Sequence, residues 1–396
     1  MSSTVWKTDP LLKAGERGLN FGGWPLQELS ESRGTPLYVY HSSRICENLS
    51  RLRAALATTG RPFHIRYAMK ANRFGPVLDL IRKEGDIGID ACSPNEMDLA
   101  LAHGFMPDEI SITASNLSNG DLQRIGKQGI HLNSDTESVI RRFAAVAKAG
   151  ASFGLRLDPP VPLARDGGEK LNYVGSKFGI LPGDIDRMYA AAVRSGLSVN
   201  TLHVHCGWAM QENHEAAFDA AVQLLAETAR RIPEIRYINV GGGLAHRHHA
   251  GDAPLQIDRW AAVLKRHLGQ LPVTIVCEIG TFIVSNAGLL LMEINTIEKR
   301  GETLWMGVNA GHAVNVYPYH YNIPLELIPV SNPSGEAEGL YCVGSNINEA
   351  QDVLSHGTRL PPLNEGDLLA MYCTGAYGAA MQSNHCLRGS APEVLL

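Results

Sequence analysis

The chain has 396 residues, 44% of them hydrophobic and 19% charged, enough apolar material for a large core and too much for general disorder. A net charge of −5 without a long basic run argues against nucleic acid or an anionic membrane as partner, and no apolar run approaches the ~20 residues of a bilayer span. Forty glycines, roughly one residue in ten against a usual ~7%, follow no collagen period and point to tight turns or to backbone pressed against a ligand. Seven scattered cysteines without a CxxC pair fit a reducing, cytoplasmic setting, and no metal site is expected.

In chain order, residues 1–35 contain no convincing element. Eight short apolar or β-branched runs follow, at 63–69, 87–91, 110–114, 129–133, 153–158, 201–206, 237–240 and 273–279. Helical patterns lie between them, among them 76–85, 94–104, 135–150 and 215–232. Strand and helix alternating eight times over this length predict an α/β chain with a (β/α)8 TIM barrel, assigned to residues 36–290. After about residue 290 the rhythm changes to strands and turns, with a polar loop at 331–339. Residues 291–396 are therefore read as a mostly β domain, with 1–35 packing onto it.

Active sites of such barrels lie at the C-terminal ends of the strands. Residues outside the usual core palette fall at five such ends: Lys70, Asp90, His205, the run Gly241-Gly242-Gly243, and Glu278. A lysine among apolar neighbours can lose its proton and act as a nucleophile or Schiff-base former, or simply snorkel off a strand end. Three glycines offer consecutive backbone N–H groups to a phosphate, or merely make a tight turn. His205 suits stacking on a planar ligand or a place in the core. A buried Glu278 demands a cation or hydrogen-bond donors.

Tyr67-Ala68-Met69-Lys70-Ala71-Asn72 resembles the cofactor-lysine motif of the diaminopimelate and ornithine decarboxylases, pyridoxal-phosphate enzymes with an alanine-racemase-type barrel. The resemblance continues through Ser176–Ile180, His203–Gly207, Gly241–Gly243, Glu278–Thr281 and Gly375–Gly378. It implies a barrel plus a β domain built from both chain ends, and pyridoxal 5'-phosphate as cofactor. By resemblance, Lys70 would hold the cofactor and His205 would stack on its ring. Gly241, Gly242, Gly243 and Tyr377 would hold the phosphate, and Glu278 would keep the pyridine nitrogen protonated. A protonated ring is a strong electron sink, which favours decarboxylation over racemisation. A homodimer with shared active sites is also implied.

Three segments depart from the family pattern. Thr281 stands where an arginine contacts phosphate. Tyr317 stands where an arginine grips the distal carboxylate of diaminopimelate, while Tyr321 matches the family's tyrosine. The segment carrying the family's acid cysteine reads Cys342-Val343-Gly344-Ser345-Asn346-Ile347-Asn348-Glu349. Aligned on the cysteine, Cys342 is the catalytic acid; aligned on Val343-Gly344 and Asp352-Val353-Leu354, Ile347 or a neighbouring asparagine takes that place. The expected activity is removal of the α-carboxylate from an amino-acid-like substrate, with a citrate-conjugated amino acid of carboxylate-siderophore synthesis as the leading class. Diaminopimelate itself, an amino-acid racemase and a non-catalytic cofactor carrier are the alternatives.

Overall fold

The computed structural model describes residues 4–161 and 176–396. The chain divides into two compact units, one of residues 46–245 and 253–282, the other of residues 1–45, 246–252 and 283–396.

The first unit is a closed barrel whose eight parallel strands follow chain order. They are Phe63–Ala68, Ile87–Ala91, Ile110–Thr113, His131–Ser134, Ser152–Leu157, Ser198–Val204, Tyr237–Asn239 and Thr274–Ile279, and the eighth pairs with the first to close the ring. Alternate residues, such as Ile65, Tyr67, Ile89, Ile112, Leu155, Leu202 and Ile275, are buried and apolar. The positions between them carry polar side chains that bond to one another across the barrel interior: Thr113, Asn133, His203, Asn239 and Glu278. Branched aliphatic side chains usually fill a barrel at this depth. All eight strands expected from the apolar runs are present. The helix expected over 135–150 is shorter, Glu137–Ala144, because the N–H groups of Val146 and Ala147 both turn back to the Phe143 carbonyl.

The second unit centres on an eight-stranded sheet. Its main path runs Leu327–Pro329, Leu368–Tyr372, Gly288–Arg300, Thr303–Val308, Gly339–Gly344, Val353–Leu360. Leu37–Tyr40 pairs antiparallel with Gly288–Arg300 and parallel with Glu393–Leu395, so both chain ends enter one sheet. Of residues 1–35, where no element is expected, the described ones, 4–35, do form structure. Leu12–Gly15, Gly18–Phe21 and Trp24–Pro25 form a three-stranded sheet, followed by the helix Leu26–Arg33. Strands of two to four residues are too short to show a period. Packing secures them instead: Trp6, Leu12, Leu19, Phe21 and Leu26 share one buried cluster with Leu37, Val39, Leu289, Leu291 and Ile328. Asp9 is gripped by the buried Arg44 guanidinium and accepts the Tyr372 hydroxyl at 2.6 Å.

Backbone meets backbone at one point of this unit. A Cβ on Gly288 would lie 2.4 Å from the Gly375 Cα, far inside contact distance. Gly288→Ala is expected to destabilise the protein by about 1–3 kcal/mol, read as a lower urea midpoint; an unchanged midpoint would contradict the close approach.

Candidate active site

The first barrel strand ends in a single 3-10 turn, Met69–Ala71, which carries Lys70. Its Nζ lies 3.8 Å from Asp90 Oδ2 and 3.4 Å from Cys92 Sγ, both supplied by the second strand and its end. Asp90 is fully buried and receives no hydrogen-bond donor among the described residues, whereas the lysine side chain is 41% exposed. Burial pushes the Cys92 thiol up to about 12 despite the nearby amine.

Glu278, in the eighth strand, has both carboxylate oxygens hydrogen-bonded. Oε1 accepts from Asn239 Nδ2 at 2.7 Å and Thr113 Oγ1 at 3.0 Å, and Oε2 accepts from His203 Nε2 at 3.0 Å. Burial alone would raise this group, but His203, Lys70 and Asn239 outweigh it and hold it well below the ordinary carboxylate range. Asp90 moves the opposite way, raised by burial and by the Glu278 charge against the pull of Lys70. The two carboxyl groups are thus pushed in opposite directions, Glu278 toward its charged form and Asp90 toward its protonated one.

Behind Glu278 the donors continue in a row. Thr113 Oγ1 accepts from Asn133 Nδ2 at 2.9 Å, Asn133 Oδ1 meets His131 Nε2 at 2.9 Å, and His131 Nδ1 meets Ser152 Oγ at 2.7 Å. With the His131 proton on Nε2, each donor points toward Glu278. Such an arrangement polarises every bond in one direction. Gly154 makes room for it, since a Cβ there would lie 1.9 Å from Asn133 Oδ1.

The glycine run follows the seventh strand. Gly241 and Gly243 have φ of +65° and +115°, in the left-handed region. A Cβ on Gly242 would strike the Glu278 carbonyl oxygen at 2.5 Å. The run does not offer three bare donors. The Gly241 N–H goes to Asn239 Oδ1 at 2.9 Å and the Gly242 N–H to His205 Nδ1 at 3.1 Å, leaving Gly243 as the one whose N–H the chain does not engage among the described residues. Accepting at Nδ1 keeps His205 neutral; burial, then the charges of Lys70 and Arg156, lowers it well below the ordinary histidine value. Thr281, just past the eighth strand, is buried. Across the end of the fifth strand, Phe178 stacks on the Arg156 guanidinium, 4.2 Å from ring centre to carbon, and Gly179 at φ +91° donates to Asp135.

Lys70, Asp90, His205, Gly241–Gly243 and Glu278 thus belong to one barrel interior and its rim. His203 and His205 meet different partners, the Glu278 carboxylate and the Gly242 N–H. Asn239, Thr113 and Asn133 carry the site as much as Glu278 does, and sequence reasoning missed them. Their strand positions alternate with apolar residues, and that alternation was the available signal.

The remaining expected residues lie in the second unit. Tyr377, at φ +60°, stacks on Tyr317 at 5.6 Å and 19°. Tyr317 is buried, packs edge-on to Tyr321 at 5.5 Å, and its hydroxyl meets His248 Nε2 at 3.3 Å. Cys342 sits inside a strand with its thiol on the His356 carbonyl at 3.2 Å. The following loop is organised by Asp352, which accepts from the His312 N–H, the Tyr319 hydroxyl and the Ile347 N–H.

The donor row makes a stability prediction. Burial, first among several causes, lowers His131 to about 4, against an unfolded value of about 6.5. Between those values the unfolded chain binds the extra proton, so folding stability falls as pH drops through that window, by at most about 3 kcal/mol. His131→Gln should flatten this part of a pH series of urea melts; an unchanged slope would contradict a buried neutral His131.

Comparison with known proteins agrees with this geometry. The family described as pyridoxal-dependent decarboxylase, pyridoxal binding domain, matches residues 42–285. The diaminopimelate decarboxylase of Methanothermobacter thermautotrophicus is 32% identical, covering 98% of this chain and 92% of its own. A crystal structure from Aquifex aeolicus superposes with a TM-score of 0.87 at 26% identity, covering 98% of this chain and 92% of that one. The diaminopimelate decarboxylase of M. jannaschii in co-complex with L-lysine shares the fold, with a TM-score of 0.88 at 23% identity over 98% and 93% of the two chains. The residues present fit pyridoxal phosphate: an exposed amine at a strand end, an ionised buried carboxylate, and glycines where any Cβ would intrude. With nearly its whole length matched to such enzymes, the chain belongs to the diaminopimelate/ornithine decarboxylase family and is a pyridoxal-phosphate-dependent amino-acid decarboxylase.

Proposed function

We propose that this decarboxylase acts on diaminopimelate and releases lysine. The observation that carries the reading is the relatedness along the full chain to enzymes of that name. A citrate-conjugated amino acid of siderophore synthesis draws no support from those relatives and gives way to diaminopimelate as the first substrate to test. A specific observation favours a second reading. Tyr317, at the place of the distal-carboxylate arginine, is buried against His248 and Tyr377 and offers no guanidinium. That arrangement suits an amino acid whose distal end is not a carboxylate.

Bound pyridoxal phosphate supplies an electron sink for the pair left behind when carbon dioxide departs. Lys70 would hold it through Nζ, beside the buried Asp90 carboxyl at 3.8 Å. Ionised Glu278 would accept a hydrogen bond from the protonated pyridine nitrogen, and its three donors would keep it from taking that proton. His205 would offer the face of a neutral ring. The Gly243 N–H and Thr281 would meet the phosphate, standing in for the family's arginine. A homodimer with shared active sites accompanies this reading.

Cys342 as proton donor is the weakest of these assignments, because its thiol is committed to the His356 carbonyl. The reading in which the acid position falls at Ile347 or a neighbouring asparagine is preferred. Cys342→Ser should then retain turnover within about twofold, whereas a drop of the 10²–10⁴ typical of a lost general acid would restore the thiol to that role.

The substrate test is carbon dioxide release by the cofactor-loaded protein, with Lys70→Ala as blank. Lysine formed from meso-diaminopimelate establishes the first reading. Release only from amino acids with an uncharged or amine-bearing distal end establishes the second. Release from none of these would overturn both.

A further inference from the structure

The donor row behind Glu278 is longer than the bonds that reach Ser152. In the sixth strand Thr201 Oγ1 donates to Asn200 Oδ1 at 2.9 Å, and Asn200 Nδ2 donates to Ser152 Oγ at 2.9 Å. Six hydrogen bonds therefore run in series, from Thr201 through Asn200, Ser152, His131, Asn133 and Thr113 to Glu278 Oε1. Each of these side-chain atoms has its partner, whereas the buried hydroxyls of Ser111 and Ser134, on the same third and fourth strands, have none among the described residues.

The direction of the row follows from its end. An ionised carboxylate only accepts, so the single Thr113 proton goes to Glu278 and the Thr113 oxygen takes the Asn133 amide N–H. Asn133 Oδ1 then faces His131 and requires an N–H from Nε2. Burial keeps the His131 ring neutral, so it has one proton to give, and its bare Nδ1 accepts the Ser152 hydroxyl. The reverse arrangement satisfies the inner members equally well. With the proton on Nδ1, His131 would donate to Ser152 and draw the Asn133 amide N–H to Nε2. The Asn133 oxygen would then take the Thr113 hydroxyl away from Glu278. The row thus has two states, and the ring in its middle separates them by which nitrogen carries the proton.

We propose that His131 is a positioning residue for the decarboxylation: its Nε2 proton holds the Thr113 hydroxyl on Glu278 and so keeps the shared proton on the cofactor ring nitrogen. The inference rests on the reading that Glu278 meets that nitrogen. His131 acts through Asn133 and Thr113, with no contact of its own to Glu278 among the described residues.

The test is nitrogen-15 NMR of the protein loaded with ring-labelled pyridoxal phosphate at neutral pH. His131→Leu should move the ring-nitrogen signal toward the unprotonated position by about a tenth of the full span or more, in line with the ~10–30% by which each bond of such a row strengthens the next. Ser152→Ala should move it the same way by less. His131→Gln, whose amide N–H can replace Nε2–H, should stay at the wild-type position. Thr113→Val, which removes the donor itself, serves as the reference and should move furthest. Should His131→Leu fail to bind cofactor, Ser152→Ala decides alone. An unmoved signal in His131→Leu beside a moved one in Thr113→Val would overturn the role of His131, as would a Gln variant shifted as far as the Leu variant. An unmoved signal in Thr113→Val would overturn the underlying reading of Glu278, and the inference with it.

Discussion

A carboxylate at the centre of a β-barrel is an expensive object, and much of this barrel is arranged around making Glu278 tolerable. Desolvating such a charge costs several kcal/mol unless its oxygens are met by well-placed donors. Three elements meet them: Asn239 from the seventh strand, Thr113 from the third and His203 from the sixth. Each donor is itself oriented. Asn239 is pinned by the Gly241 N–H, and Thr113 by Asn133, which is backed in turn by His131 and Ser152. The charge placed on Glu278 also pushes Asp90 toward its protonated form, so two buried carboxyl groups take different roles from different surroundings. In the proposed reading the sink chemistry depends on that division, because only an ionised Glu278 would keep a pyridine nitrogen protonated.

Glycine is the steric counterpart of this electrostatic arrangement. Gly154 leaves space for Asn133, and Gly242 lets the seventh strand's exit pass over the Glu278 carbonyl. Part of the glycine run's hydrogen-bonding capacity is spent on holding Asn239 and His205 in place. The run therefore serves as a support for Asn239 and His205 as well as being the proposed cradle for phosphate. The surplus of glycine in the composition reflects these close approaches together with many ordinary turns.

The barrel strands were legible because their outward residues, such as Ile87, Ile89, Ile112 and Leu155, are buried against helices and form apolar runs. The interior was not. Arg66, Ser111, His131, Asn133 and Asn239 alternate with those residues and look like the solvated side of a half-exposed strand. Closure of the barrel buries both faces, and only then do the polar positions become one network. The rim residues Lys70, His205, Gly241–Gly243 and Glu278 were legible from strand ends and from family resemblance. The stacking of Tyr377 on Tyr317 was not, since sixty positions separate them and the contact is made by folding of the β unit. The small sheet and helix within residues 1–35 escaped for a different reason: strands of two to four residues owe their existence to the cluster around Phe21, Leu26 and Leu289 rather than to local pattern.

The central claim is that Glu278 is ionised inside the barrel and holds its cofactor partner protonated. Nitrogen-15 NMR of the protein loaded with ring-labelled pyridoxal phosphate reads this directly. A ring nitrogen that stays protonated at neutral pH and above in the wild type, and loses its proton in Glu278→Gln, is the predicted result. An unprotonated ring nitrogen in the wild type would contradict the account.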